Sequence, residues 1–284
     1  MLLLAIAINI DPNIAQIGPF VLSWHGLFSA IGVIAGVTIG VRVAAEAGAN
    51  EEGAYNLALW SVAGGIVGAR LFHVIDNWSY YAQNPGQIVL INEGGIAIYG
   101  AIIGGILTGF VYALRTKLDV AKVADGGAVG LILGQAIGRI GDVINGEHHG
   151  KPLDAPWAVV YTHPNTLGEI GVPVHLAVGY ELVWDLLVFG LLWMMRGRVR
   201  DGVIFWTYIF LYGLGRFWIT FYRYDTIQAF GLTQAQLIAV VGVVVAAIML
   251  VKMLLIDRPR APAPALDEAG EEDQAAPTPA STEP

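Results

Sequence analysis

Apolar residues fill seven stretches of the chain, at roughly 21–44, 56–76, 97–115, 124–141, 177–195, 203–221 and 233–255, and polar residues collect between them. A helix needs about 20 mostly apolar residues to cross the hydrocarbon of a bilayer. The pattern therefore predicts an all-α integral membrane protein with about seven transmembrane helices. The fourth stretch, GGAVGLILGQAIGRIG, is short and rich in glycine, and predicts a broken or incomplete crossing. The longest connection, about residues 142–175, contains AVVY, whose alternation suggests a short strand.

Composition sharpens this picture. Hydrophobic residues make up 56% of the chain, charged residues 13%, and the mean hydropathy is +0.62. A soluble domain has nearer a quarter of its residues charged. Residues 257–284, DRPRAPAPALDEAGEEDQAAPTPASTEP, hold seven of the 23 acids and no aromatic residue, and are expected to form a disordered tail. Without them the body, residues 1–256, carries 13 bases and 16 acids, a net of −3 rather than −8. The acidity is thus a tail property, and nothing in it marks a nucleic-acid partner. The absence of cysteine excludes disulfides, thiol catalysis and cysteine-ligated metal. The start, MLLLAIAINIDPNIAQIGP, lacks a basic leader and a small-residue cleavage site, so no cleaved signal peptide is expected.

Charge orients the spans. Cytoplasmic loops collect lysine and arginine. With the N-terminus outside, one side receives Arg42, then Arg115, Lys117 and Lys122, then Arg196, Arg198 and Arg200, then Lys252, Arg258 and Arg260: ten of the fifteen bases. The reverse topology exports all ten, so an N-out, C-in arrangement is expected, with a longer outer loop and a cytoplasmic tail. Arg70, Arg139, Lys151, Arg216 and Arg223 are left towards the outer face. An arginine within hydrocarbon costs about 2.5 kcal/mol or more and faces a partner or a wet cavity. These residues either snorkel singly to the outer headgroups or converge in a cationic pocket for an anionic lipid, because guanidinium forks match phosphate. Their recurrence beside glycine, in GARLFHV, IGRIGD and GLGRFWI, favours the pocket.

Further motifs follow in order along the chain. IDPNIAQIGPFVLSWHGL leads into the first helix, GARLFHVI ends the second and GGIAIYGAIIGG opens the third. GRIGDVINGEHHG closes the fourth, PVHLAVGYE opens the fifth, YGLGRFWITFYR ends the sixth, and GLTQAQLIAV starts the seventh. In these motifs the chain resembles the prolipoprotein diacylglyceryl transferases over about residues 11–256. Four positions depart from the family pattern. Asp142 stands where an asparagine is usual, Thr220 where a glutamate is usual, His25 where a tyrosine is usual, and Tyr99 where histidine is frequent.

The resemblance implies an enzyme of the bacterial cytoplasmic membrane, with residues 1–256 as a polytopic transferase domain. Such an enzyme moves the diacylglyceryl group of phosphatidylglycerol to the thiol of a lipobox cysteine in a preprolipoprotein. A thioether forms and glycerol phosphate leaves. The thiol belongs to the partner, so the transferase needs no cysteine of its own. No cofactor is implied. No metal is expected either, because no histidine pair falls at ligand spacing with supporting carboxylates. A monomer working on two substrates within the bilayer is expected.

Alkylating a thiol at an sp³ carbon requires a neutralised leaving phosphate, removal of the thiol proton and in-line alignment. On the resemblance, Arg139 and Arg216 hold the phosphate, His175 takes the proton, and Tyr99 hydrogen-bonds a phosphate or ester oxygen. Asp142, Asn145, Gly146, Glu147, Gly150, His25, Arg70, Tyr180 and Glu181 complete the substrate site. Plainer readings stand beside these. Arg139 can pair with Asp142 or Glu147 along its own helix. Asn145–Gly146 is a turn dipeptide that can simply end a helix. His175 can be a cap, Tyr99 an interfacial aromatic, and Glu181 an arginine's partner or a solvent-facing group. His148 and His149 read as an exposed pair. Two other functions compete: a catalytically weakened paralogue that binds lipid or lipoprotein, motivated by Asp142 and Thr220, and a small transporter, for which the sequence supplies no paired inverted repeats.

Overall fold

A computed structural model of the protein describes residues 5–18, 20–90 and 94–256; the expected tail, 257–284, lies outside the described residues. Seven helices are long and apolar enough to cross a membrane. They are α1 (Trp24–Glu46), α2 (Glu51–Asp76), α4 (Ile98–Thr116), α5 (Val120–Asn145), α6 (Ala177–Met195), α7 (Val203–Ile219) and α8 (Gln234–Val251). The single turn α3 (Trp78–Tyr81) follows α2. The all-α membrane architecture expected from the apolar pattern is the one observed.

Several starts are set by side-chain caps, which satisfy orphan backbone N–H groups. Ser23 accepts from Gly26 N at 3.1 Å at the head of α1, and Asn50 from Gly53 N at 2.6 Å at α2. Asp119 caps α5, and Thr233 with Gln236 forms a reciprocal capping box at α8.

The fourth crossing corrects the sequence expectation. It is neither broken nor short: α5 runs unbroken for 26 residues, and it ends at Asn145 rather than near 141. Its glycines are contact points. Gly126, Gly130 and Gly134 meet Gly40, Gly36 and Gly32 of α1 backbone to backbone, so that a Cβ at Gly36 would lie 2.7 Å from the Gly130 carbonyl oxygen. Small residues at four-residue spacing let two membrane helices approach closely, where packing rather than hydrophobicity holds them together. The α2–α4 pair repeats the device with Gly64 and Gly68 against Gly100 and Gly104. A tighter apolar core forms where α5, α6 and α7 meet, around Val129, Ile132, Val188, Leu192, Ile204 and Tyr208. Ile34, Leu59, Val67, Ile106, Leu187 and Val241 face outward, as lipid-facing positions do.

Short strands gather at the end of the bundle where α5 terminates. The expected strand in AVVY is β4 (Val159–Tyr161); it pairs in parallel with β1 (Ile6–Ile8) and antiparallel with β5 (Pro173–Val174). Two hairpins, β2 (Asn13–Ile17) with β3 (Phe20–Ser23), and β6 (Ile227–Ala229) with β7 (Leu232–Thr233), lead directly into α1 and α8. They set where those helices begin at this end.

Candidate active site

Because α5 continues to Asn145, Arg139, Asp142 and Asn145 project from successive turns of one helix. Gly146 ends it at φ +75°, and a Cβ there would press on Thr166 and Gly168. The helix-ending turn is therefore real, and the packing around it demands glycine on both counts.

Four helices contribute to one charged network. Glu181, in the second turn of α6, is 5% exposed. Its Oε1 accepts from Arg216 Nη1 of α7 and, at 3.1 Å, from Arg223 Nη1. Its Oε2 lies 2.7 Å from Arg139 Nη2. Arg139 Nη1 in turn donates to Asp142 Oδ2 at 2.8 Å, and Asp142 Oδ1 pairs with His25 Nδ1 of α1 at 2.6 Å. Glu147 Oε1 stands 3.4 Å from the same His25 nitrogen and accepts from Asn145 Nδ2 at 3.1 Å. Of the two partners expected for Arg139, Asp142 is found and Glu147 is not; Glu181, from another helix, takes the second place. Glu181 is an arginine's partner rather than a solvent-facing group.

The network holds more donors than its carboxylates use. A guanidinium carries five N–H groups. Three guanidiniums crowd around Glu181, and Arg139 Nε is buried with no hydrogen-bond partner among the described residues, as are Asn145 Oδ1 and Glu181 Oε2, the last held by its ion pair with Arg139. Buried polar groups are nearly always paired in native structures. Arg139 and Arg216 keep about a fifth of their side-chain surface open, whereas Arg223 is closed over.

Beside the network lies a cleft of about 270 Å³, lined by Glu147, His148, His149, Gly150, Tyr161, Glu169, His175 and Tyr224 among others. Gly150 belongs to its wall for a backbone reason. A Cβ there would collide with the His175 carbonyl, and the adjoining strand is stitched by Lys151 N to Tyr222 O, His175 N to Lys151 O and Tyr224 N to His149 O, all at 2.8–2.9 Å. His175 Nδ1 sits 3.2 Å from Tyr180 Oη, and its ring packs 4.9 Å from Tyr222. Burial and the neighbouring Lys151 lower its pKa. His148 and His149 are exposed as expected, yet the ring of His148 stands over the network, 4.0 Å from Asp142 Oδ2. Although the residue is open on one side, desolvation of the ring where it meets the network, with Arg223 and Arg139, pushes its pKa down to about 4 against the opposing pull of Asp142 and Glu181.

Arg70 and Tyr99 lie elsewhere, on the α2–α4 pair. Arg70 donates to the carbonyls of Gln87, Ile88, Gly94 and Gly95 at 2.5–2.8 Å. Tyr99, in the first turn of α4, is partly exposed, and no hydrogen bond joins it to the network among the described residues.

One residue grouping bears on metal. His25, Asp142 and Glu147 bring ligand atoms within 4.8 Å of one another, a closeness invisible in their spacing. Both Asp142 oxygens are already engaged, one by His25 and one by the Arg139 guanidinium, which supplies the counter-charge a cation would bring. The grouping therefore reads as part of the ion-pair network.

A family model for prolipoprotein diacylglyceryl transferase matches residues 12–252. The chain belongs to the prolipoprotein diacylglyceryl transferase family. A phosphatidylglycerol–prolipoprotein diacylglyceryl transferase of Clostridioides difficile (strain 630) is 38% identical over 78% of this chain and 87% of its own length. Proteins of the same name from Trichormus variabilis and Bacillus cereus are 37% and 35% identical, over 82% and 88% of this chain and 86% and 94% of theirs. Within this family member the departures can be placed. Thr220 is buried and donates to the Arg216 carbonyl at 2.6 Å, leaving Glu181 as the carboxylate that holds both Arg216 and Arg223. The sequence marks Arg223 only as a base on the outer side, whereas the structure makes it a partner of Glu181. It lies just past α7, after the single turn Thr220–Tyr222 and on extended backbone bridged to Gly150, so no helical spacing from Arg216 announces it. Buried Asp185, one turn beyond Glu181, left no trace beyond being an acid in an apolar run.

Proposed function

We propose that the chain transfers the diacylglyceryl group of phosphatidylglycerol to the lipobox cysteine thiol of preprolipoproteins, forming a thioether and releasing glycerol phosphate. The observation that carries this reading is the surplus of guanidinium N–H donors around Glu181, at one end of a membrane bundle and beside a cleft. Arg139 and Arg216, still partly open, grip the phosphodiester and stabilise the charge that grows as glycerol phosphate departs. Buried Arg223, Glu181 and Asp142 hold those two in place. Asn145, with its unpaired Oδ1, and Glu147 accept from the glycerol hydroxyls. The cleft seats the lipobox segment, with His175 and Tyr180 on its wall and with Gly146 and Gly150 keeping the backbone close. Tyr99 and Arg70 stand apart from this network, Arg70 tying the segment before α4 to α2 through backbone carbonyls.

The end bearing the network faces outward, by the lysine and arginine bias of the opposite end. The enzyme works as a multi-pass monomer in the bacterial cytoplasmic membrane, residues 1–256 forming the transferase domain and 257–284 a cytoplasmic tail.

Arg139→Ala and Arg216→Ala test the reading. Each lowers transfer of labelled lipid from phosphatidylglycerol vesicles to a lipobox peptide by about a hundredfold or more, the scale for losing one stabilising donor, while the protein still inserts. Full transfer by both variants overturns the assignment.

A further inference from the structure

His25 at the start of α1 and Asp142 near the end of α5 touch. Resting on the transferase reading above, we propose that His25 is the base that takes the proton from the lipobox thiol, and that Asp142 is the positioning residue that fixes its ring.

With Asp142 ionised, its contact with His25 fixes which ring nitrogen carries the hydrogen. An ionised carboxylate only accepts, so the 2.6 Å contact between Asp142 Oδ1 and His25 Nδ1 places the hydrogen on Nδ1. In the neutral ring the lone pair is then on Nε2. Glu147 Oε1 lies at the same Nδ1 edge, at 3.4 Å. Nε2 is on the opposite edge of the ring, and 44% of the side chain is open. Among the described residues no hydrogen bond engages Nε2.

Asp142 is not free to turn away. Arg139 holds its other oxygen at 2.8 Å, and His148 Nε2 stands 4.0 Å from that oxygen. The helices are locked as well: a Cβ at Gly141 would lie 2.7 Å from His25 Cα and 2.9 Å from the Trp24 carbonyl oxygen. The start of α1 thus rests directly on α5, one residue before Asp142. A single carboxylate joins the proton acceptor to the phosphate anchor, so the two groups required by an in-line displacement keep a fixed separation.

The other histidines of the site serve less well. His148, with its pKa near 4, is too weak a base at neutral pH. His175 bonds Tyr180 and packs on Tyr222, and no ion pair ties it to Arg139 among the described residues.

The step balances. The thiol hydrogen passes to Nε2, and the sulfur lone pair forms the C–S bond at the terminal glyceryl carbon. The C–O bond to phosphate breaks with its electron pair on oxygen, and glycerol phosphate leaves with the added negative charge. The groups facing His25 are Asp142 and Glu147, with Arg139 and His148 behind Asp142; the imidazolium that forms lies against two carboxylates.

The full-length enzyme in phosphatidylglycerol vesicles, with a lipobox peptide as acceptor, tests this. His25→Ala is expected to lower kcat by about a hundredfold or more, the usual share of a general base, with KM for peptide and lipid within about threefold. The acidic limb of its pH profile moves towards the free thiol's ionisation near pH ~8.5, and added imidazole restores part of the rate. Asp142→Asn is expected to keep KM, lose rate and displace the same limb, which a purely structural role would not do. If His25→Ala fails to fold, His25→Asn, which retains a donor for Asp142, decides. An active wild type whose His25→Asn variant keeps its kcat and pH profile overturns the base alone. The same loss appearing in His175→Ala instead also overturns it. A wild type that transfers nothing from phosphatidylglycerol overturns the transferase reading and the base with it.

Discussion

Glu181 has three guanidiniums on its two oxygens and almost no exposed surface. Burying charges is costly, and breaking such a set leaves an uncompensated charge inside, at about 3–5 kcal/mol. Glu181→Gln should therefore lower thermal stability in detergent sharply. Adding Arg223→Met removes one stranded cation and should recover part of the loss; a double variant no better than the single one would show that Arg223 does not depend on Glu181. His148 gives a pH test. Its folded pKa, about 4, lies below the ordinary 6.5, so between these values the unfolded chain binds the extra proton and the folded chain does not. Stability from this group is present above pH 6.5 and declines as pH falls towards 4. The melting temperature of the wild type should fall across that window, and His148→Asn, a residue that tolerates the φ of +57°, should fall less. At this scale the sequence was readable where partners share a helix. Arg139 and Asp142, three residues apart, were expected together. The convergence of residues 139, 216 and 223 on residue 181, and of 25 on 142, crosses helices, and no local spacing encodes it.

Elements were more readable than contacts. The apolar run lengths located all seven crossings, because the bilayer imposes a length on each. The misjudged one, α5, failed for a definite reason: glycine weakens a helix in water, yet in a bilayer it is what brings α5 onto α1. The Gly32, Gly36, Gly40 and Gly126, Gly130, Gly134 ladders were present in the sequence, but a ladder names no partner. Gly36→Ala tests the contact. Its Cβ would meet backbone rather than a flexible side chain, so the helices must separate. Overpacking of this kind costs about 1–3 kcal/mol. The melting temperature should drop, and transfer should drop with it, because His25 on α1 and Asp142 on α5 part at the same seam. Unchanged stability would show that the α1–α5 interface has slack.

The whole molecule separates its charges by end. Arg42, Arg115, Lys117, Arg196, Arg198, Arg200 and Lys252 lie where α1, α4, α6 and α8 finish, while the Glu181 network and the strands lie at the other end. The first group follows the topological bias of cytoplasmic loops, and the second is explained by its partners, so one orientation accounts for both. The proposed N-out orientation would put the cleft outside, on the side where an exported lipobox peptide would arrive. The chain's lack of cysteine makes the point directly measurable, since any introduced thiol reports without background. Asp154, in the long connection beside the cleft, and Glu52, in the first turn of α2 at the opposite end, are both exposed. In intact cells a membrane-impermeant maleimide should label Asp154→Cys, and it should reach Glu52→Cys only after permeabilisation. The reverse pattern would put the arginine network on the cytoplasmic side, out of reach of exported preprolipoproteins. The cationic pocket would then need a different anion and the cleft a different occupant.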